Sequence, residues 1–196
     1  MKHVRILAFA GSTRAESFNK KLIAAAADIG NEMDNVTVTP IDLKDFPLPI
    51  YDGDLEEAAG LPAKALELKK LIHEHDAVLM ASPEYNAAMP GLLKNTIDWL
   101  TRPGGENDPG KVLFEKPVAL LSASPGGLGG IRGLTQLRAV LLNPSAFVIP
   151  AQYCLANAHE AFDSEGGLKD ESSRKAVASV IDQLTRFASV FEPAKP

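Results

Sequence analysis

Between an apolar run, VRILAFA, and an apolar-periodic segment, KKLIAAAADI, stands the stretch GSTRAESFN (11–19), whose residue types suit an anion. Gly11 permits a tight exit from a strand. Ser12, Thr13 and Ser17 offer short hydroxyls and Arg14 a charged fork, while Ser17 is placed to cap a helix starting near Phe18. Unpaired N–H groups at such a helix mouth, with the helix dipole behind them, favour a phosphate. A merely well-capped turn with a solvated arginine would use the same residues, so this stretch alone leaves both readings open.

Two further stretches are unusual. In SPEYNAAMPGLLKNTIDWL (82–100), Pro83 and Pro90 bracket polar and small residues. Backbone groups there could bond the edge of a planar heteroaromatic, and Tyr85 could cover a ring face. Glu84 has no partner carboxylate at a telling spacing, and its plainer role is a negative charge at a helix N-terminus. In SASPGGLGG (122–130), glycines would let a flat ligand approach the backbone. Other chemistries are missing: there is no G-x-x-x-x-G-K-[ST], no G-x-G-x-x-G after the first strand and no G-x-S-x-G. His73 and His75 read as a solvated helix end rather than metal ligands, so no metal is expected. Cys154 reads as a small core or loop residue, and Trp99 and Leu100 as core or subunit interface.

These stretches need elements to hold them. Apolar runs at Val4–Ala10, Val36–Ile41, Ala77–Ser82, Pro117–Ala123 and Ala146–Ala151 are mostly continuous, as in strands buried on both faces of a parallel sheet. Helical spacing appears between and after them: Leu22, Ile23, Ala26, Ile29; Leu61, Ala65, Leu68, Ile72; Leu93, Ile97, Leu100; Leu134, Leu137, Leu141; and Val177, Ile181, Leu184, Ala188, Phe191. The alternation predicts an open α/β sheet with helices on both faces. Ligands bind such sheets at the strands' carboxyl ends, and the three unusual stretches follow the first, third and fourth strands. Two long segments, 43–62 and 102–116, read as irregular functional rims or interface elements.

The 196 residues fit one domain, with 191–196 expected as a flexible tail. A net charge of −5 with no basic, aromatic-rich cluster argues against nucleic acid. No apolar run approaches the roughly 20 residues of a membrane span, so no membrane insertion is expected. One cysteine excludes an intramolecular disulfide framework and fits a cytoplasmic protein. A phosphate pole beside a flat hydrogen-bonding surface, without acid–base machinery, describes a site for flavin mononucleotide (FMN), a cofactor that brings its own redox chemistry.

At GSTRAESFNKKL, DLKDFPLPIYDGD, PEYNAAMPGLLKNTIDWL and SASPGGLGG the sequence resembles the NADPH-dependent FMN reductase family, which includes chromate, quinone and azo-dye reductases. The resemblance is clear over about residues 4–150. It implies a flavodoxin-like three-layer fold with a five-stranded parallel sheet in the order 2-1-3-4-5. FMN would be the cofactor, with NADPH or NADH as co-substrate. Ser12, Arg14, Ser17 and Asn19 would hold its phosphate, with Gly11 and Phe18 beside them. Pro83, Glu84, Tyr85 and Asn86 would lie along the ring and ribityl, Tyr85 also facing the substrate. Ser122, Ser124, Gly126 and Gly127 would meet the other edge. The expected activity is ping-pong hydride transfer from NAD(P)H through FMN to a quinone, chromate, azo compound or free flavin, with no side chain acting as catalytic acid or base. A homodimer or homotetramer is implied, built with the third helix and the long loops. The rival reading is a flavodoxin-type electron carrier or a non-catalytic FMN binder.

Overall fold

The computed structural model describes residues 2–191, so 192–196, most of the expected tail, lie outside the described residues. Five strands, β1 (Val4–Ala10), β2 (Val36–Ile41), β3 (Ala77–Ala81), β4 (Pro117–Ala123) and β5 (Phe147–Leu155), form one all-parallel sheet in the order β2-β1-β3-β4-β5. The prolines mark the edges. Pro40 and Pro150 lie inside the two outer strands, and Pro117 opens β4, positions where a missing N–H breaks no central ladder.

Among the described residues there are six α-helices, α1 (Phe18–Asn31), α2 (Gly53–Ala59), α3 (Ala63–Glu74), α4 (Gly91–Leu100), α5 (Ile131–Leu142) and α6 (Glu171–Val190), and all but α2 pack on the sheet. Alternate strand residues feed two cores. Ile6, Ala8, Ala10, Leu79, Ala81, Ala119 and Leu121 pack with α1 and α6. Leu7, Phe9, Val78, Met80, Val118 and Leu120 pack with α3, α4 and α5. The many alanines of the first face allow close helix-on-sheet packing. Burying a side chain such as Leu7 or Phe9 contributes about 1.5–3 kcal/mol.

Three boundaries differ from the sequence expectation. α2 occupies part of the segment expected to be irregular. It buries no residue and so carries no apolar stripe to read, although Asp52 caps it and Gly60, at φ +72°, ends it. β5 continues past Ala151 to Leu155: Val118 faces Val148, but Leu120 faces Gln152 where an even register would place Pro150. The bulge is filled from α5, where Arg138 donates to the carbonyls of Val148 and Ile149 and to Gln152. Third, residues 102–116 join the end of α4 to the start of β4, placing them at the amino ends of the strands, opposite the ligand rim. There the buried ion pair between Lys69 and Asp108 (2.6 Å) organises the segment, with Lys69 also donating to the Arg102 carbonyl and Asp108 accepting from the Gly104 and Gly110 N–H groups.

Candidate functional site

The sheet order reverses direction between β1 and β3, and loops from the carboxyl ends of neighbouring strands meet there. The ladder runs one residue beyond the strands on this rim. Gly11 N–H donates to Ala81 O (2.8 Å), Ser82 N–H to Leu121 O (2.9 Å) and Ser124 N–H to Leu155 O (3.0 Å). The three stretches singled out in the sequence therefore stand side by side, anchored by backbone bonds.

The first loop is built as the sequence predicts at its helix end: Ser17 is the N-cap of α1 and accepts from the Lys20 N–H. The N–H groups of Phe18 and Asn19, first in the helix, have no intrahelical acceptor. Ser12 is buried and its hydroxyl accepts from the Arg14 N–H (3.3 Å). The Arg14 guanidinium is exposed and has no hydrogen bond or ion pair among the described residues, whereas its neighbours Lys20 and Lys21 are paired with Asp42 and Glu16.

The second loop is a tight turn closed by reciprocal backbone bonds between Tyr85 and Ala88 (2.9 and 3.0 Å). Asn86 and Ala87 both have positive φ, 52° and 61°, the geometry of a two-residue type I′ turn. Asparagine tolerates this region. Alanine does not, at about 1–2 kcal/mol. The turn lifts Tyr85 to 56% exposure, so this ring is not core.

In the third loop the Ser124 hydroxyl accepts from the Gly126 N–H. A Cβ at Gly127 would meet nothing within 4 Å, and one at Gly126 only the Ser124 Oγ at 3.6 Å, so this backbone is open to a flat molecule. Gly130 has a different reason to be glycine: φ is +92° and a Cβ would overlap the Ser122 Oγ.

Five expected contacts have structural work of their own. The Asn19 carboxamide is buried and spans to β4, bonding both N–H and C=O of Ala123 (2.9 Å each). The fully buried Ser122 hydroxyl donates to the Ser82 carbonyl (2.7 Å) and ties two loops together. Gly11 makes room for Leu93 of α4, 3.0 Å from where its Cβ would stand. Phe18 packs against the α1–α6 core. The Glu84 carboxylate faces the N-terminus of α5: the side chain, 8% exposed, accepts from the Gly133 N–H (3.1 Å) and pairs with Arg132. Burial pushes the Glu84 carboxyl upward, but these bonds outweigh it and hold it below the usual carboxylate range. The charge does favour a helix dipole, that of a helix 49 residues downstream.

Sequence reasoning missed a fourth wall. Residues 156–170 follow β5 and so must start at the same rim, and Asn157 and Ala158 donate to the carbonyls of Gly126 and Ser124. Cys154 is half-buried against the α3–α5 core, and burial raises its thiol pKa. No three His, Cys, Asp or Glu side chains converge as metal ligands among the described residues, and no helix there is long and apolar enough to cross a membrane.

The arrangement fits an FMN. An unpartnered arginine and free helix N–H groups suit its phosphate, and beside them the open Gly126–Gly127 backbone and the raised Tyr85 suit a flat ring. Comparison with known proteins agrees. Residues 4–160 match the family model described as NADPH-dependent FMN reductase. An NADPH:quinone oxidoreductase of Arabidopsis thaliana is 34% identical over 94% of this chain and 91% of its own length. An NAD(P)H-dependent FMN reductase of Pseudomonas aeruginosa is 32% identical over 92% and 93%. Among solved structures, a flavoenzyme NAD(P)H:(acceptor) oxidoreductase from Paracoccus denitrificans superposes with a TM-score of 0.80 at 30% identity, covering 95% of this chain and 97% of that one.

Proposed function

The chain belongs to the NADPH-dependent FMN reductase family, and we propose that it reduces quinones, with NAD(P)H and the acceptor taking turns on one open face of the bound flavin. The observation that carries this reading is the pairing of the unpartnered Arg14 at the Ser17-capped helix with the open glycine backbone on one rim. When bound, FMN would supply the hydride-level redox chemistry that links the nicotinamide to the acceptor.

The residues of the chain bind and orient. Arg14 and the first-turn N–H groups of α1 hold the phosphate; Ser12 shapes the loop through its bond to the Arg14 N–H. Pro83, Asn86, Ser124, Gly126 and Gly127 would line the ring by backbone, which is open at Gly126 and Gly127. Tyr85, exposed at the tip of its turn, borders the face where donor and acceptor stack at about 3–3.5 Å. Protons come from solvent, since no side chain on this rim is arranged as an acid–base pair. Quinone is favoured among the acceptors by the named activities of the relatives; chromate, azo compounds and free flavin can be tested beside it. Exposed Ile50 and Leu55, on the arm before and within α2, support assembly as a homo-oligomer, and the lone free thiol suits a cytoplasmic protein.

Initial rates with a soluble benzoquinone, varied at several fixed NADPH concentrations, test the alternation of substrates. Parallel double-reciprocal lines are expected. Lines that converge would show both substrates bound at once and overturn the single shared face.

A further inference from the structure

Resting on the flavin reading above, we propose that Glu84 is a positioning residue whose carboxylate latches the Tyr85–Ala88 turn to the first turn of α5, making the second and third loops one rigid wall. The turn closes on its own two backbone bonds between Tyr85 and Ala88, but the positive φ of Ala87 opposes it and the Tyr85 ring is exposed, so those bonds do not by themselves fix where the turn sits. What fixes it is the adjoining Glu84, bonded to the Gly133 N–H, to Arg132 Nε (2.7 Å) and to a second Arg132 nitrogen.

The surfaces are shaped for this contact. A Cβ at Gly133 would stand 3.2 Å from the Ala88 carbonyl and 3.3 Å from the Glu84 Cβ, so a larger residue would press α5 and the turn apart by a few tenths of an ångström. Gly130 likewise makes room for Ser122, whose hydroxyl bonds the Ser82 carbonyl just before the turn. The glycine loop ends at α5, so whatever moves the helix N-terminus moves both ring-facing segments. Glu84 also fills the α5 N-terminus, leaving the α1 mouth, with its unpartnered Arg14, as the phosphate end of the rim.

Amide exchange on FMN-free protein, with FMN affinity and visible circular dichroism of the FMN-saturated protein, tests the latch. In Glu84→Ala the Tyr85, Ala88 and Gly133 amides should all exchange about tenfold faster or more. The FMN Kd should rise about tenfold, and the dichroism at saturation should change because the ring sits differently. Glu84→Gln keeps an acceptor for Gly133 and should stay within about threefold of the parent. Gly133→Ala, which crowds the turn from the helix side without touching the charge, should reproduce the altered dichroism. Arg14→Ala should weaken FMN yet leave the dichroism at saturation unchanged. The latch is overturned if the Tyr85 and Ala88 amides do not respond in Glu84→Ala, if its dichroism at saturation equals the parent's, or if Gln is as impaired as Ala. A parent protein that binds no FMN would contradict the proposed function alone, and the exchange rates would still decide the latch.

Discussion

Removing the Arg14 guanidinium should weaken FMN without weakening the fold. The side chain is exposed and makes no hydrogen bond or ion pair among the described residues, only a solvent-screened attraction to Glu16, so Arg14→Ala deletes no bond that supports the native state. Surface changes of that kind stay within about 0.5 kcal/mol in unfolding. In the complex the same group would make charge-assisted bonds to a dianion. Such bonds contribute about 1.5–3 kcal/mol, and at about 1.4 kcal/mol per decade that is roughly a 10- to 150-fold rise in Kd. Exposure to solvent favours the lower half of the range, and the effect should shrink as added salt shortens the roughly 10 Å screening length at 0.1 M. Arg14→Lys keeps the charge without the fork and should fall between parent and Ala. The assay is flavin fluorescence quenching with FMN and with riboflavin, which lacks the phosphate. Riboflavin affinity should be unchanged by Arg14→Ala. Equal weakening of FMN and riboflavin, or no weakening of either, would refute the placement of the phosphate.

The strained turn offers a stability prediction. Ala87→Gly should relieve about 1–2 kcal/mol of left-handed strain while conceding about 0.4–1 kcal/mol of unfolded-chain entropy, so urea unfolding should show a net gain below about 1.5 kcal/mol; a loss would mean that the Ala87 methyl packs usefully. Asp108→Asn leaves Lys69 buried without its counter-charge and should cost about 3–5 kcal/mol, with Lys69→Met added to Asp108→Asn recovering most of it in the same denaturation series. Burial pushes the Asp108 carboxyl upward, yet the bonds from Lys69, Gly104 and Gly110 hold it below its ordinary value. Its stabilisation is therefore complete above about pH 4 and lost as pH falls further, and unfolding of Asp108→Asn between pH 5 and 2.5 should depend less on pH than that of the parent. Burial lowers the Lys116 amine to about 8, Asp76 opposing and Arg5 and Lys2 adding to the effect. The native state then binds fewer protons than the unfolded chain between about pH 8 and 10.5, so stability gains a rising component there, which Lys116→Met should abolish in denaturant titrations across that window.

What the sequence shows of this molecule is mostly local. Ser17 as N-cap, the continuous strands buried on two faces and the three loops on one rim follow from residue types and their spacing. So does the amino-end placement of 102–116, since helix-to-strand connections return to that end, and the converse, that strand-to-helix connections leave from the carboxyl end, puts 156–170 on the ligand rim. Pro40 and Pro150 signal the edge strands in the same way. The roles of Asn19, Glu84 and Ser122 are of another kind. Each is set by a partner 40 to 104 residues away, Ala123, Gly133 and Ser82, and no local pattern distinguishes a hydroxyl that ties two loops from one that meets a ligand. α2 escaped notice because a helix that buries nothing has no periodic stripe. The continuation of β5 past Pro150 depends on Arg138 from another element to satisfy the bulged carbonyls.

The central claim, that this rim seats a flavin which exchanges reducing equivalents between NAD(P)H and an acceptor, is tested most directly by an anaerobic visible-absorption titration of the FMN-reconstituted protein with NADPH and then a benzoquinone. The account predicts flavin bands that bleach with NADPH and return with the quinone. Bands that NADPH leaves untouched would contradict it and make the rim a flavin cradle without this turnover.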